Sequence, residues 1–250
     1  MKRYNSIGIK QTVRLEWMEK TSNLLLSGLS KDEIREELRI YLINKMGNGS
    51  TGERSKEASR FSVNILMNTW INPDKNLEGF RDAGIDLLKN LPQDDRVAVH
   101  WGMICSTYPF WYNVAKQIGI LLNLQETVSA QQITQRVIEN YGDRPTVSRN
   151  ARFVIRSIYY WNMLREKELR GNYSRGIVRQ INSVPLIAWL AEAQLHSIPE
   201  GRLSLSVIQK NPVFFAFDIP YFQGNVSQFS NKKIEIIKNG YSDDILILRK

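Results

Sequence analysis

Three arginines recur at helical spacing within residues 144–165, and their chemistry suits a nucleic acid. Arg149, Arg152 and Arg156 stand at positions i, i+3 and i+7 of a predicted helix, so they share one face of it. Guanidinium groups are permanently charged and present planar sets of donors that fit phosphate oxygens and guanine edges. The other side of this helix is predicted to face the core, because it carries apolar residues, namely Ala151, Val154, Ile155 and Ile158.

A second predicted helix precedes these arginines, and a tight turn joins the two. Ser129, with Gln132 three residues later, forms a capping box that starts the first helix, and the turn at residues 141–145 ends it. Ser148 is predicted to cap the second helix, with Arg144 in the turn. A helix-turn-helix presents its DNA-reading helix in this way. The alternative is a solvated basic hairpin, which also occurs in proteins that bind no nucleic acid.

Positive charge continues beyond this hairpin. From Arg144 to Arg179 the acidic residues are Glu166 and Glu168, whereas the basic residues that follow the second helix are Arg165, Lys167, Arg170, Arg175 and Arg179. The whole chain of 250 residues has a formal net charge of +9 and a pI near 9.6. Such a charge favours polyanionic partners through counterion release. Charge alone leaves DNA, RNA and anionic lipid as alternatives.

A second basic cluster follows a glycine-rich stretch at residues 47–52. Arg54, Lys56 and Arg60 fall at the start of the next predicted helix, where they could add phosphate contacts, although a solvated helix face is the alternative. The stretch itself has the letters of a dinucleotide-binding fingerprint. It follows a helix, however, and Glu53 stands where a Walker loop requires lysine, so a linker is predicted.

The residue types that catalysis requires are sparse. The two histidines, His100 and His196, have no second ligand at metal-binding spacing, and the single Cys105 excludes an intramolecular disulfide and a cysteine-built zinc site. A metal-dependent nuclease would depend on the few carboxylates near the C-terminus, namely Asp218, Glu235, Asp243 and Asp244. We therefore expect a protein that is not an enzyme and that holds neither a cofactor nor a metal.

The elements that would position these residues are mostly helical. Besides the hairpin, hydrophobic periodicity and capping signals predict helices at residues 10–28, 30–47, 54–70, 77–88, 94–107, 110–124 and 184–195. The pair at 94–107 and 110–124 is markedly apolar and is predicted to form the buried centre. Four runs near the C-terminus predict strands, at 203–208, 213–218, 233–238 and 244–248, with Asn239-Gly240 as a turn signal. These strands could form a wing beside the hairpin or a separate sheet.

The expected fold is therefore mainly α, multi-helical, with a helix-turn-helix that could be winged and a small strand-rich C-terminal part. Three domains are predicted: an N-terminal helical domain at 1–90, a helical domain containing the helix-turn-helix at 91–198, and a strand-rich extension at 199–250. The N-terminus lacks the apolar stretch of a secretory signal, and the apolar segment 184–195 is too short to span a bilayer. Together with the single cysteine, these features predict a cytoplasmic protein without a membrane span.

The order of four segments carries a resemblance to a known family. These segments are GLSKDEIREEL, ERSKEASRFSVNIL, DDRVAVHWGMICSTYPFWYNVAKQIG and RFVIRSIYYWNML. In this order the chain resembles the BrxA family of BREX phage-defence systems, over about residues 10–165. The resemblance implies a mainly helical protein with an antitermination-factor-like part and a DNA-binding helix-turn-helix, acting without catalysis beside a methyltransferase and ATPases. Residues 202–250 depart from the family pattern.

The sequence thus predicts an accessory protein of phage defence that binds duplex DNA with low sequence specificity. Arg149, Arg152 and Arg156 would contact phosphates, and Ser148 and Asn150 could add base contacts. The predicted surface is extended by Arg144, Arg54, Lys56 and Arg60. Two alternatives stay open: a scaffold subunit whose basic face binds acidic partner proteins, and an RNA-binding protein of the antitermination type.

Overall fold

The computed structural model describes residues 3–43, 55–220, 233–238 and 243–249. Within these ranges the fold is mainly α, as predicted, with ten α-helices and eight short strands. The helices are α1 (Leu15–Leu26), α2 (Lys31–Ile43), α3 (Lys56–Leu66), α4 (Glu78–Asn90), α5 (Gln93–Thr107), α6 (Pro109–Leu124), α7 (Ala130–Tyr141), α8 (Pro145–Tyr160), α9 (Val184–His196) and α10 (Leu205–Gln209). The strands are β1 (Val128–Ser129), β2 (Leu164–Glu166), β3 (Asn172–Arg175), β4 (Arg179–Gln180), β5 (Arg202–Ser204), β6 (Phe217–Asp218), β7 (Ile234–Ile237) and β8 (Ile245–Leu248).

Local capping signals start several of these helices. Before α2, the Ser30 N–H donates to Glu33 Oε2 at 2.8 Å and the Glu33 N–H donates to Ser30 Oγ at 3.4 Å, so a capping box starts the helix predicted at residues 30–47. The helix predicted at residues 54–70 is not α-helical to its end. After α3 the chain widens into one π-helical turn at Met67–Ile71, where the Asn72 N–H donates to the Met67 carbonyl at 2.7 Å.

The predicted helix at residues 10–28 begins later than expected, at Leu15. The Val13 N–H donates to Ser157 Oγ at 2.9 Å, and the Val13 carbonyl accepts from Trp161 Nε1 at 3.0 Å. Because these long-range bonds satisfy both backbone groups of Val13 outside a helix, the segment before α1 lies along the C-terminal end of α8.

The core is built around α5 and α6, as predicted. Trp101 of α5 and Trp111 of α6 are fully buried, and both pack against Trp161, with ring centroids 5.5 to 6.0 Å from its ring. Helix α9 crosses α5 closely at Gly102, where a Cβ atom would lie 2.3 Å from Trp189 Cζ3. One hydrophobic cluster includes buried side chains from all three predicted domains, and the division into domains stays a prediction.

The C-terminal strands differ in part from their prediction. Strands β5, β8 and β7 form an antiparallel sheet in that order, which confirms the runs at 233–238 and 244–248. The predicted strand 203–208 is wrong beyond Ser204, since α10 follows and the Asp243 carboxylate accepts from the Ser206 N–H in its first turn. The predicted strand 213–218 is also mostly wrong. A 3₁₀ turn, Pro212–Phe214, packs against α6, and only β6 is extended, paired in parallel with β4. Asn239-Gly240 lies outside the described residues.

Candidate nucleic-acid interface

Helices α7 and α8 form the predicted hairpin, joined by residues 142–144. Ser129 Oγ accepts from the Gln132 N–H at 3.0 Å, and the Ser129 N–H donates to Gln132 Oε1 at 2.8 Å, so the predicted capping box of α7 is confirmed. At the other end Gly142 has a φ of +83°, a backbone conformation in which glycine is unstrained, and this turns the chain out of α7. Local sequence signals therefore fix both ends of α7.

The predicted start of the second helix is wrong by one turn. Helix α8 begins at Pro145, with Arg144 at the N-cap position, so Ser148 lies inside the first turn and does not cap the helix. Proline suits this position because its φ is already helical and the first helical N–H has no partner within the helix. The Ser148 N–H donates to the Arg144 carbonyl at 3.4 Å, and Ser148 itself is half-buried.

Helix α8 has the two faces that the sequence predicts. The four apolar residues predicted to face the core are buried, namely Ala151, Val154, Ile155 and Ile158. Arg149, Arg152 and Arg156 are exposed on the other side. The side chains of Arg149 and Arg152 make no hydrogen bond or ion pair with any residue that the structure describes. Two guanidinium groups are thus presented to solvent with all their donors unused.

Arg144 and Arg156, by contrast, are positioned by contacts within the protein. Arg144 Nη2 donates to the Tyr141 carbonyl at 2.9 Å. Arg156 donates from Nε and Nη2 to the Tyr160 hydroxyl, both at 3.2 Å, and this hydrogen bond is the main reason that the pKa of Arg156 is raised. The guanidinium of Arg14, which the sequence analysis missed, lies over the same Tyr160 ring at 4.4 Å.

The structure does not support the prediction that Asn150 could add base contacts. Its side chain is buried, and its Nδ2 donates to the Ile7 carbonyl at 2.8 Å. The amide therefore ties the N-terminal segment to α8. An amide used in this way leaves α8 without an exposed Asn or Gln, the side chains that read adenine.

A small antiparallel sheet frames the two helices, and the sequence analysis missed it. Strand β1 immediately precedes α7, while β2 and β3 form a hairpin directly after α8, and the strand order is β1-β3-β2. The β2–β3 hairpin carries exposed cations, namely Arg165 in β2 and Lys167 and Arg170 in its connection. Strands of two to four residues give little periodicity, which explains why they escaped prediction.

The two arginines further along the chain, Arg175 and Arg179, are half-buried. Arg175 donates from Nη1 to the Phe215 carbonyl at 2.6 Å and from Nη2 to the Leu122 carbonyl at 3.3 Å. Arg179 is half-buried, and desolvation lowers its pKa against the smaller opposing effect of Asp94. Arg175 thus ties β3 to α6 and to the segment before β6, and neither Arg175 nor Arg179 belongs to the fully exposed basic surface of α8 and the β2–β3 hairpin.

The second predicted cluster lies on a different pair of helices. Arg54 falls outside the described residues, while Lys56 and Arg60 are exposed on α3 and line a groove of about 420 Å³ between α2 and α3. Arg35 and Arg39 of α2 line the same groove, whose apolar residues are Ile43 and Val63. The groove thus combines a cationic rim with an apolar surface.

The groups that could do acid–base or metal chemistry are buried singly or in pairs. His100 is fully buried against the edge of Trp70, and desolvation lowers its pKa to about 3. His196 Nε2 and Glu192 Oε1 lie 3.4 Å apart, both buried, and burial raises the pKa of the Cys105 thiol. In the described part of the chain no three His, Cys, Asp or Glu side chains come together in a way that could hold a metal ion.

Among the described residues, no helix has both the length and the apolar character needed to cross a membrane. Comparison of the chain with protein-family models, with curated proteins and with solved structures gives no match.

Proposed function

We propose that this protein binds duplex DNA through α8 and the β2–β3 hairpin, as a non-enzymatic accessory protein. The observation that supports the proposal most directly is the pair of exposed arginines, Arg149 and Arg152, whose side chains have no hydrogen-bond or ion-pair partner in the described part of the chain. The order β1, α7, α8, β2, β3 is that of a winged helix-turn-helix, whose second helix lies in the major groove. The proposed reading helix is therefore α8.

Phosphate contacts would dominate this interface. Arg149 and Arg152 are free to bind phosphate oxygens, and Arg144 and Arg156 extend the basic surface from positions that protein contacts fix in advance. Since Asn150 is engaged with the Ile7 carbonyl, base readout would fall to guanidinium groups and to the half-buried Ser148. We therefore expect strong salt dependence and low sequence specificity.

The biological setting that we propose is a BREX-like phage-defence system in the bacterial cytoplasm. This step rests on the resemblance of about residues 10–165 to the BrxA family. In such a system the protein would hold DNA without catalysis, beside a methyltransferase and ATPases.

The test is fluorescence anisotropy of a labelled duplex over a series of salt concentrations. The wild type is compared with the triple variant Arg149→Ala, Arg152→Ala, Arg156→Ala. We expect the plot of log K against log salt to be steep for the wild type. For the variant its slope should be shallower by up to about 0.9 for each lost phosphate contact.

A matched control removes three exposed lysines outside the proposed interface, with Lys31→Ala, Lys75→Ala and Lys89→Ala combined. This control loses the same net charge, so a purely global effect of charge would weaken it equally. Equal salt slopes for the two triple variants would contradict the assignment to α8. A structured RNA of the same length, used as competitor, separates DNA binding from the RNA-binding alternative.

The second candidate function is docking of an acidic partner protein, and the groove between α2 and α3 favours it. Lys56, Arg60, Arg35 and Arg39 surround the apolar side chains Ile43 and Val63. A phosphate backbone would contact only the cations of this groove, whereas an amphipathic acidic helix would contact both the cations and the apolar side chains. A protein that fails to bind DNA, but binds an acidic amphipathic peptide in a way that Lys56→Glu abolishes, would have this function instead.

A further inference from the structure

Leu169 lies at the tip of the β2–β3 hairpin, and its side chain is 71% exposed. The tip comprises residues 167–171, which connect β2 to β3. A large apolar side chain at such a position stabilises nothing within the described part of the protein, and it contributes unfavourable hydration instead. The Leu169 side chain is therefore available for contact with a partner.

The tip is held by hydrogen bonds to its own strands and to α7. The Lys167 N–H donates to the Asn172 carbonyl at 2.9 Å, and the Asn172 N–H donates to the Leu169 carbonyl at 3.1 Å. The Gly171 N–H donates to Glu166 Oε1 at 2.9 Å, and the Gly171 carbonyl accepts from the Ala130 N–H at 2.8 Å. Gly171 has a φ of +84°, which suits glycine at this sharp reversal. Leu169 is thus presented on an ordered support.

Cations lie on both sides of this leucine. The side chains of Lys167 and Arg170 are exposed, and neither makes a hydrogen bond or ion pair with a residue in the described ranges, although the exposed Glu168 separates Lys167 from Leu169 in the chain. An apolar side chain with one cation directly after it and another two residues before it matches the chemistry of DNA-bending proteins, in which an apolar wedge enters a base step from the minor groove while cations hold the flanking phosphates.

We infer that Leu169 is a wedge that inserts between stacked base pairs from the minor groove and kinks the duplex. Lys167 and Arg170 bind phosphates on either side of the inserted side chain. The inference rests on the proposed function, and it adds a substrate class to it: duplex DNA with flexible pyrimidine–purine steps, TA above all, because these steps unstack most readily. The discrimination comes from deformability and requires no base-edge contact.

The experiment uses two readouts on one duplex. A 2-aminopurine beside a central TA step reports unstacking through increased fluorescence, and a donor–acceptor pair at the two ends reports bending through energy transfer. We expect the wild type to raise both signals on binding. Leu169→Gln should abolish both, while its Kd stays within about tenfold of the wild-type value, because unstacking offsets part of what insertion gains.

The matched control is Ile237→Gln on β7, which changes a side chain that is 45% exposed in the C-terminal sheet and should leave both signals unchanged. Binding without unstacking or bending, or a Leu169→Gln variant that bends DNA like the wild type, would overturn the wedge while leaving DNA binding intact. Absence of any duplex binding by the wild type would overturn the proposed function and the wedge together.

Discussion

The indole Nε1 of Trp161 donates a hydrogen bond of 3.0 Å to the carbonyl oxygen of Val13, although 148 positions separate the two residues in the chain. This bond joins the extended N-terminal segment to the chain just after α8. Trp111 lies beside Trp161, with ring centroids 5.5 Å apart, yet its Nε1 is buried without a hydrogen-bond partner. The two indoles are therefore both fully buried, but only that of Trp161 makes a hydrogen bond.

Replacing each of these two tryptophans with phenylalanine isolates the contribution of that hydrogen bond to stability. We expect Trp161→Phe to destabilise the fold by about 1 to 3 kcal/mol more than Trp111→Phe, because only the former leaves a buried carbonyl without its donor. Urea denaturation of both variants measures the difference in the free energy of unfolding. Equal losses would mean that the bond to Val13 contributes nothing to stability.

Asn150→Ala separates a structural role from a DNA-reading role. The Asn150 side chain donates to the Ile7 carbonyl at 2.8 Å, so its loss should lower the free energy of unfolding by about 1 kcal/mol. The salt slope of DNA binding should stay at the wild-type value, whereas Arg149→Ala should reduce the slope without lowering stability. Stability and salt slope are both measured on both variants. A reduced salt slope with unchanged stability for Asn150→Ala would identify Asn150 as a base-contacting residue.

His100 predicts a pH dependence of stability. Burial lowers its pKa in the folded state to about 3, from an ordinary value near 6.5 in the unfolded chain. As the pH falls below 6.5, His100 is therefore protonated in the unfolded state while it stays neutral in the folded state. The contribution of His100 to folding stability is fully present above that pH. This contribution is lost progressively as the pH drops from 6.5 towards 3.

The measurement compares the wild type with His100→Phe at pH 7 and pH 5, by urea denaturation. Between these two pH values the wild type should lose about 2 kcal/mol more stability than the variant. All other ionisable groups are the same in both proteins, so their effects cancel in the comparison. A difference that does not change with pH would show that His100 titrates normally.

Local signals explain which parts of the hairpin could be predicted. The capping box of Ser129 and Gln132 and the glycine at 142 act within one helical turn, so the sequence alone was sufficient for both ends of α7. At the start of α8 two local signals competed. Pro145 prevailed over Ser148 as the starting signal, because its fixed φ suits the first helical position.

Long-range pairing explains what the sequence analysis missed. Strand β2 is extended because Arg165 pairs with Ser174 across the hairpin, and β1 is extended because Val128 pairs with Tyr173. Strands of two or three residues are too short to show an alternating pattern of apolar and polar residues in the sequence. The roles of Asn150 and Arg175 escaped for the same reason, since their partners are carbonyl groups of Ile7 and Phe215, and every residue offers a carbonyl.

Gly102 and Gly79 predict opposite effects for the same substitution. A Cβ atom at Gly102 would lie 2.3 Å from Trp189 Cζ3 and 3.1 Å from Leu190 Cδ2, where α5 packs against α9. Gly102→Ala should therefore destabilise the fold by about 1 to 3 kcal/mol through overpacking.

At Gly79, on the exposed side of α4, the nearest atom to a new Cβ is Lys233 Cε at 3.7 Å. Gly79→Ala should raise stability by about 0.5 to 1 kcal/mol, because alanine loses less backbone entropy in a helix. Thermal and urea denaturation of the two variants checks the signs. A stable Gly102→Ala protein would mean that α5 and α9 can separate at this crossing, and the close packing of Trp189 would then not define the core.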